Sequence, residues 1–244
     1  MQARPAQAVV RATSVSEMVH QYLKDSILSG ALMAGDAIRQ DDIATRLDVS
    51  RAPVREALNQ LEREGLVVLR PRRGYIVASL DPEEIEDIFG IRMVLEEHAG
   101  RVATERRTLA DVVAAKKLVR AMDVIGAESS AEIAEWARLN REFHDTIYRA
   151  SGVNRLRTIA ANLRDTVEQY VRLDLATANW KGVAQKEHKR ILTAFEAGDA
   201  EAVARLSREH CQNTCERLIS SLKRRRVTGQ SGRRVDIRTH RREP

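Results

Sequence analysis

Several things are scarce in this 244-residue chain, and each shortage narrows what it can be. Aromatic side chains make up 4% and glycines number only 12. With Ala, Leu, Arg and Glu abundant, that balance favours a mostly helical protein over a β-rich one. The only two cysteines, Cys211 and Cys215, fall one helical turn apart, so reduced thiols are expected rather than a disulfide framework. No apolar run approaches the roughly 20 residues that cross a bilayer, and the opening MQARPAQAVV has no signal-peptide core. A cytoplasmic protein without a membrane partner is expected, long enough for two compact domains.

The formal net charge of +6 is unevenly placed. From Lys223 to the end there are nine basic residues against Asp236 and Glu243, a balance of +7, which leaves the preceding chain at −1. Residues 223–244 lack apolar periodicity and are expected to be a disordered basic tail. Such a tail either adds non-specific attraction to phosphate or is simply solvated.

The richest stretch runs from Val49 to Val77. Ser50 stands where a helix N-cap should, and Arg51, Ala52 and Pro53 fill the first turn, where proline's missing N–H costs little. Val54, Ala57, Leu58 and Leu61 then recur as one buried face, with Gly65 as the stop. Arg51, Arg55 and Asn59 are left on the polar face. Leu66–Leu69 and Tyr75–Val77 read as two short strands around the turn Pro71-Arg72-Arg73-Gly74, a hairpin with two arginines at its tip.

Upstream, Val15–Leu28 reads as an amphipathic helix closed at Gly30, and Asp41–Leu47 as a short helix joined through Asp48-Val49-Ser50 to the next. Two such helices, the second exposing arginines from its N-terminal half, form the layout that places side chains in the DNA major groove. Arginine suits that work because its planar fork pairs with the O6 and N7 of guanine.

A second domain begins at Asp81-Pro82, an N-cap followed by a first-turn proline. Six helices are expected: Pro82–Arg106, Leu109–Gly126, Ser130–Ala150, Val153–Thr177, Trp180–Ala197 and Ala200–Lys223. The breaks at Thr108, Glu128-Ser129, Ser151-Gly152, Ala178-Asn179 and Gly198-Asp199 are all cap or turn chemistry. Each helix has one apolar stripe, so an antiparallel bundle around a core or cavity follows.

Histidines single this bundle out. His144, His188 and His210 lie on three different helices at positions that should face inward, and Asn140 precedes the first by one turn. One inward histidine is usually a hydrogen-bonded core residue. Three, with an amide oxygen one turn away, make a candidate site for a divalent metal such as zinc, nickel or cobalt. Arg92 is a second anomaly, a guanidinium within the stripe Ile85, Ile88, Leu95, Ala99 and Val102. Its charge needs a carboxylate partner. That partner is either inside the protein, for instance a glutamate of another helix, or an acidic ligand near the metal, in which case Arg141, Tyr148 and Asn213 are further candidates for fitting the acid.

Residues 14–79 resemble the winged helix-turn-helix of the GntR family of bacterial transcription regulators. The resemblance rests on Gly35-Asp36, Ile43-Ala44, Val49-Ser50-Arg51-Ala52-Pro53-Val54-Arg55-Glu56-Ala57-Leu58, Glu64-Gly65-Leu66 and Arg73-Gly74. It implies DNA contacts at Ser50, Arg51, Pro53 and Arg55 of the recognition helix, and at Arg72, Arg73 and Gly74 of the wing. Residues from about 82 to 222 resemble the FCD effector domain of one branch of that family, through Arg92, Leu95-Glu96, Asn140-Arg141-Glu142-Phe143-His144, Glu187-His188 and His210. In metal-binding members of that branch a carboxylate and three histidines are the ligands, which map to Asn140, His144, His188 and His210. Three departures are visible. Asp48 replaces a common turn glycine, Gln40-Asp41-Asp42 opens the second helix, and Asn140 stands where Asp is usual.

The resulting expectation is an N-terminal arm at 1–13, a DNA-binding domain at 14–79, a helical effector domain at 80–222 and the tail at 223–244. A homodimer would read a pseudo-palindromic operator, with repression expected over activation, and a small organic acid bound near the metal would modulate it. The alternative is a metal-dependent hydrolase fused to a DNA-binding domain, since three histidines leave an open position for water. No metalloprotease helix motif, Ser-His-Asp set or phosphate loop accompanies them.

Overall fold

The computed structural model of the chain describes residues 14–126, 129–175 and 180–227. It divides into two compact units, Met1–Ala78 and Ser79–Pro244. The arm at 1–13, Glu128, the break at Ala178-Asn179 and the tail beyond Val227 lie outside the described residues.

The first unit is built from α1 (Val15–Leu28), β1 (Ala37–Ile38), α2 (Gln40–Leu47), α3 (Arg51–Arg63), β2 (Val67–Arg70) and β3 (Gly74–Val77). α1 opens with a reciprocal cap in which Glu17 N–H donates to Ser14 Oγ and Ser14 N–H donates to Glu17, so two otherwise orphaned donors are satisfied. α2 ends at Asp48, which takes the left-handed conformation at φ 52° and ψ 49°. A short polar side chain tolerates that conformation, so the missing glycine is no obstacle. The stripe of α3 is fully buried at Val54, Ala57, Leu58 and Leu61 and meets Val19, Leu23 and Ile27 of α1 in one core. Each such large side chain contributes about 1.5–3 kcal/mol by leaving water.

The sheet differs from the expected two-stranded hairpin. Its order is β1-β3-β2, all antiparallel, with Ala37 opposite Ile76 and Leu69 opposite Tyr75. The extra strand is two residues long, and buried Ile38 ties it into the core.

The second unit contains α4 (Pro82–Arg106), α5 (Leu109–Val124), α6 (Ser130–Ala150), α7 (Asn154–Leu175), α8 (Trp180–Ala197) and α9 (Ala200–Val227). Asp81 with Glu84, Thr108 with Asp111 and Ser129 with Glu132 close α4, α5 and α6 as capping boxes. α5 stops at Val124 rather than Gly126, α7 starts one residue late at Asn154, and α9 continues four residues past Lys223, where a tail was expected.

α4 packs against α6, α7 and α9, while α5 and α9 both pack against α8. Gly100 of α4 makes its approach to α9 possible, since a Cβ there would sit 3.1 Å from both Ser207 Oγ and Val203 Cγ1. The interior is not uniformly apolar. Three hydrophobic clusters are separate, and buried alongside them are Arg92, Glu96, His144, Arg164, Asp165, Glu168, Asp174, His188 and His210.

Candidate metal centre and DNA-reading face

In the first unit, burial of the α3 stripe turns the opposite face outward. Arg51 and Arg55 are exposed, and Pro53 is half-buried in the first turn. Ser50 has the extended geometry of an N-cap, yet its side chain makes no capping hydrogen bond. Its hydroxyl is therefore not committed to the helix end. Arg51 Nε pairs with Asp41 of α2, both side chains lying largely in solvent. Asn59 is not free on the polar face as its position suggested: its Oδ1 accepts from the Tyr75 hydroxyl at 2.5 Å, linking α3 to β3.

The turn between β2 and β3 presents Arg72, Arg73 and Gly74, all exposed. Arg73 N–H donates to Arg70 carbonyl at 3.0 Å, which closes the turn. Arg72 has φ +63° and Gly74 φ +77°. A non-glycine residue held there is disfavoured by about 1–2 kcal/mol.

At the base of α3, Glu64 accepts from Lys24 at 3.0 Å and pairs with His20 at 2.9 Å. Burial raises its pKa, but Lys24 and then His20 outweigh that and hold the carboxyl below its ordinary range.

In the second unit, α6, α8 and α9 bring three imidazoles together. Ring centroids are 5.2 Å apart for His144 and His188, 5.1 Å for His144 and His210, and 4.8 Å for His188 and His210. One nitrogen from each lies within 4.8 Å of the other two. His188 is completely buried, and neither of its ring nitrogens has a hydrogen-bond partner among the described residues. Trp136 stacks on it and Phe143 packs beside it. Asn140 lines a cavity with His144 and His210, and its buried Oδ1 is likewise without a donor among the described residues.

His210 is oriented from behind. Its Nδ1 lies 2.6 Å from Glu187 Oε2, and Glu187 also accepts from Asn213 at 2.8 Å and Arg217 at 3.3 Å. Burial opposes ionisation of Glu187, but the His210 hydrogen bond and charge, with Asn213 and Arg217, bring its pKa down to about 2. An ionised carboxylate only accepts, so Nδ1 is the ring nitrogen that donates to it and Nε2 is the one turned to a ligand. Burial first, and Arg164 and His210 next, push the His144 pKa well below 6.5; burial and His210 do the same to His188. Both rings are thus neutral, the form that binds a metal.

This donor set fits a divalent transition metal. Three neutral imidazoles suit zinc, nickel or cobalt, the orphaned Asn140 oxygen offers a fourth donor, and the Glu187 contact is the outer support that such a histidine ordinarily receives. Asn140, His144, His188 and His210 would hold the ion, which would supply a positive centre able to accept an anionic oxygen.

Arg92 takes the internal salt bridge of the two expectations. It is buried, but its partner lies on its own helix: Nε and Nη2 donate to Glu96 Oε1 at 2.9 and 2.7 Å. Its guanidinium also lies over the Phe89 ring, 4.5 Å from the centroid. Glu96 further accepts from Arg164 at 3.4 Å and lies 3.9 Å from His144 Nδ1. Burial alone would raise the Glu96 pKa, yet Arg92 and then Arg164 bring it to about 2.

The cavity, about 40 Å³, is walled by Arg92, Asn140, His144, Arg164, Glu168 and His210 among others. Arg141, Tyr148 and Asn213 are not at that wall. Tyr148 is buried behind it, its hydroxyl accepting from Arg164 at 2.6 Å. Asn213 is on the exposed face of α9, where it serves Glu187. Arg141 is half-buried, and its charge acts on Glu168.

Residues 15–77 match the family described as bacterial regulatory proteins, gntR family, and residues 87–213 match the FCD domain. The chain belongs to the GntR family. Among its relatives, the transcriptional repressor GlaR of Escherichia coli (strain K12) is 27% identical over 78% of this chain and 90% of its own length. YdhC of Bacillus subtilis (strain 168), described as an HTH-type transcriptional regulator, is 25% identical over 82% of this chain and 88% of its own. The solved structure of E. coli McbR/YncC matches with a TM-score of 0.76, covering 86% of this chain and all of that one at 23% identity. This GntR chain is thus a DNA-binding transcription regulator rather than a hydrolase.

Sequence reasoning missed Glu187, Arg164 and Glu168. Glu187 adjoins His188, and its position about 100° around α8 from that histidine carries it toward α9. Arg164 and Glu168 had a weaker signal, two opposite charges one turn apart on a helix, which ordinarily reads as a solvated pair.

Proposed function

We propose that this GntR regulator is a cytoplasmic homodimer that binds a pseudo-palindromic operator and is modulated by a small organic acid bound beside a divalent metal. The observation that carries the effector half is the cluster of three imidazoles, two of which, His144 and His210, line with Asn140 one small cavity whose wall includes Arg92, Arg164 and Arg217. Fixed positive charge beside a metal suits a carboxylate, which can bind the ion through one oxygen and accept hydrogen bonds through the other.

The DNA half rests on Ser50, Arg51, Pro53 and Arg55 at the open start of α3 and on Arg72, Arg73 and Gly74 at the wing tip. Arg51 and Arg55 read base edges in the major groove, while Ser50 and the wing hold phosphates. Ile91 and Val94, 53% and 61% exposed and nearly one turn apart on α4, favour self-association. A two-fold dimer makes operator symmetry follow from protein symmetry. Two relatives named as repressors, GlaR and RspR of E. coli, favour repression.

The test is a mobility-shift titration of zinc-loaded, operator-bound protein with a panel of short carboxylic acids. At least one acid is expected to release the operator, and to lose that effect when zinc is removed. Release by no acid, or equal release with and without metal, would refute the effector half.

A further inference from the structure

A DNA-binding unit ordinarily supplies the positive charge that draws it to a phosphate backbone, yet the first unit of this chain has none in excess. Residues 14–79 contain nine Lys and Arg against nine Asp and Glu, and Arg51 of α3 is paired with Asp41. Residues 80–222 contain 21 basic and 24 acidic residues, a balance of −3, and residues 1–13 add only Arg4 and Arg11. The surplus is therefore concentrated in residues 223–244, which carry +7.

That run starts on a helix of the second unit. α9 continues through Lys223-Arg224-Arg225-Arg226 to Val227, and Lys223 and Arg224 are exposed. The four positions before the run are Ile219, Ser220, Ser221 and Leu222, so no acidic residue stands within one turn of it on the same helix. Cations at the C-terminus of a helix are favoured by its dipole, but that effect dies out within the last turn. It accounts for the four basic residues of α9 and not for Arg233, Arg234, Arg238, Arg241 and Arg242 beyond it.

We infer that residues 223–244 are a second DNA contact, which holds the phosphate backbone without reading sequence and supplies the long-range attraction that the electroneutral first unit lacks. The partner follows from the chemistry. Nine Lys and Arg in 22 residues suit a dense array of phosphates, and duplex DNA carries one charge per about 1.7 Å of its axis. An anionic lipid surface also attracts basic segments, but retention there ordinarily needs an apolar face or aromatic rings. Residues 223–244 contain no aromatic ring and only Val227, Val235 and Ile237 as large aliphatic residues. The 17 residues after Val227 reach at most roughly 60 Å when extended, so contact does not require α9 itself to lie against the duplex. Once α3 is docked the segment is tethered, and it meets phosphate at a high effective concentration. This contact is independent of the metal and of any effector.

Fluorescence anisotropy of the full-length protein on a short random-sequence duplex, titrated between about 50 and 200 mM salt, reads the contact as the slope of log affinity against log salt. Each phosphate neutralised contributes about −0.9 to that slope. Combining Arg233→Gln, Arg234→Gln, Arg238→Gln, Arg241→Gln and Arg242→Gln should make the slope shallower by about 2 or more, and weaken binding at the lowest salt by about tenfold or more. Lys at the same five positions preserves the charge, so that variant should keep the slope within about 0.5 of wild type.

A slope and affinity unchanged in the Gln variant would overturn the inference and leave a merely solvated segment. A loss as large in the Lys variant as in the Gln variant would overturn its electrostatic basis. Binding to phosphatidylserine vesicles that the Gln changes abolish, with duplex binding unaltered, would replace DNA by a membrane as the partner.

Discussion

Glu187→Gln tests the metal centre through a residue that does not itself face the metal. Glu187 accepts from His210 Nδ1 at 2.6 Å on one oxygen and from Asn213 and Arg217 on the other. A glutamine has the same shape but only one acceptor oxygen, and its amide group donates. Two orientations are open to it, and both fail. With the amide nitrogen toward His210, two donors face each other and the ring loses the support that keeps Nε2 free. With the amide nitrogen toward Asn213 and Arg217, His210 keeps an acceptor, but a neutral one whose own anchors are gone.

Loss of an outer support of this kind weakens metal binding by about 10–100-fold, or about 1.4–2.7 kcal/mol. Competition of the protein against a chromogenic chelator for zinc at pH 7 reads the change directly. Asn213→Ala is the control: it removes only one exposed donor to Glu187, and should stay within about threefold of wild type. A zinc affinity unchanged in a folded Glu187→Gln protein would refute the argument that Glu187 sets the His210 tautomer. It would also weaken the assignment of His210 as a ligand.

His188→Ala should abolish stoichiometric metal, measured by elemental analysis after purification, while helix content by circular dichroism persists. Arg51→Ala and Arg55→Ala should each cost about 1–3 kcal/mol on the cognate operator and much less on random DNA; equal losses on both would remove them from base reading. Arg72→Gly should relieve the left-handed strain at φ +63° and stabilise the first unit by about 1 kcal/mol in thermal denaturation. The same change should weaken specific and random DNA alike in a binding titration. Glu64 has a depressed pKa in the folded state, so the stability it contributes is present above the ordinary carboxylate range and lost as pH falls through its folded value. Glu64→Gln should therefore lower the melting temperature at pH 7 and have a shrinking effect toward pH 3.5.

Most of the helices were legible because their ends are chemically marked. Asp81 with Glu84, Thr108 with Asp111 and Ser129 with Glu132 are reciprocal caps written three residues apart in the sequence. The left-handed turn at Asp48 was legible for the same reason, a side chain that tolerates the conformation. β1 was not: two residues carry no periodicity, and Ala37–Ile38 is a strand only because β3 offers it an edge. The three histidines were legible from their stripes, and the structure brings them together. An internal carboxylate partner for Arg92 was legible, but not which one, although Glu96 stood four residues ahead. Burial decided that case, because an i,i+4 pair on a surface is worth only about 0.3–0.5 kcal/mol, whereas inside the bundle each member is costly without the other.

The two units use arginine in opposite ways, and the contrast bears on the proposal that one chain both reads DNA and senses an acid. On α3 and the wing, Arg51, Arg55, Arg72 and Arg73 are exposed around a sealed apolar core. On the proposed reading their charge meets the phosphate backbone, where affinity is general and only base contacts specify. In the helical unit Arg92 and Arg164 are inside, where a guanidinium must be answered by a carboxylate or by a ligand. Arg92 is answered by Glu96; Arg164 is answered in part, and its Nη1, like Glu168 Oε1, has no hydrogen-bond partner among the described residues. A ligand can shift an equilibrium only by its difference in affinity between two states. Groups left unsatisfied at a cavity supply such a difference, because their cost is present before the ligand arrives and removed when it binds. A fully paired interior would have been more stable and would have had nothing to report.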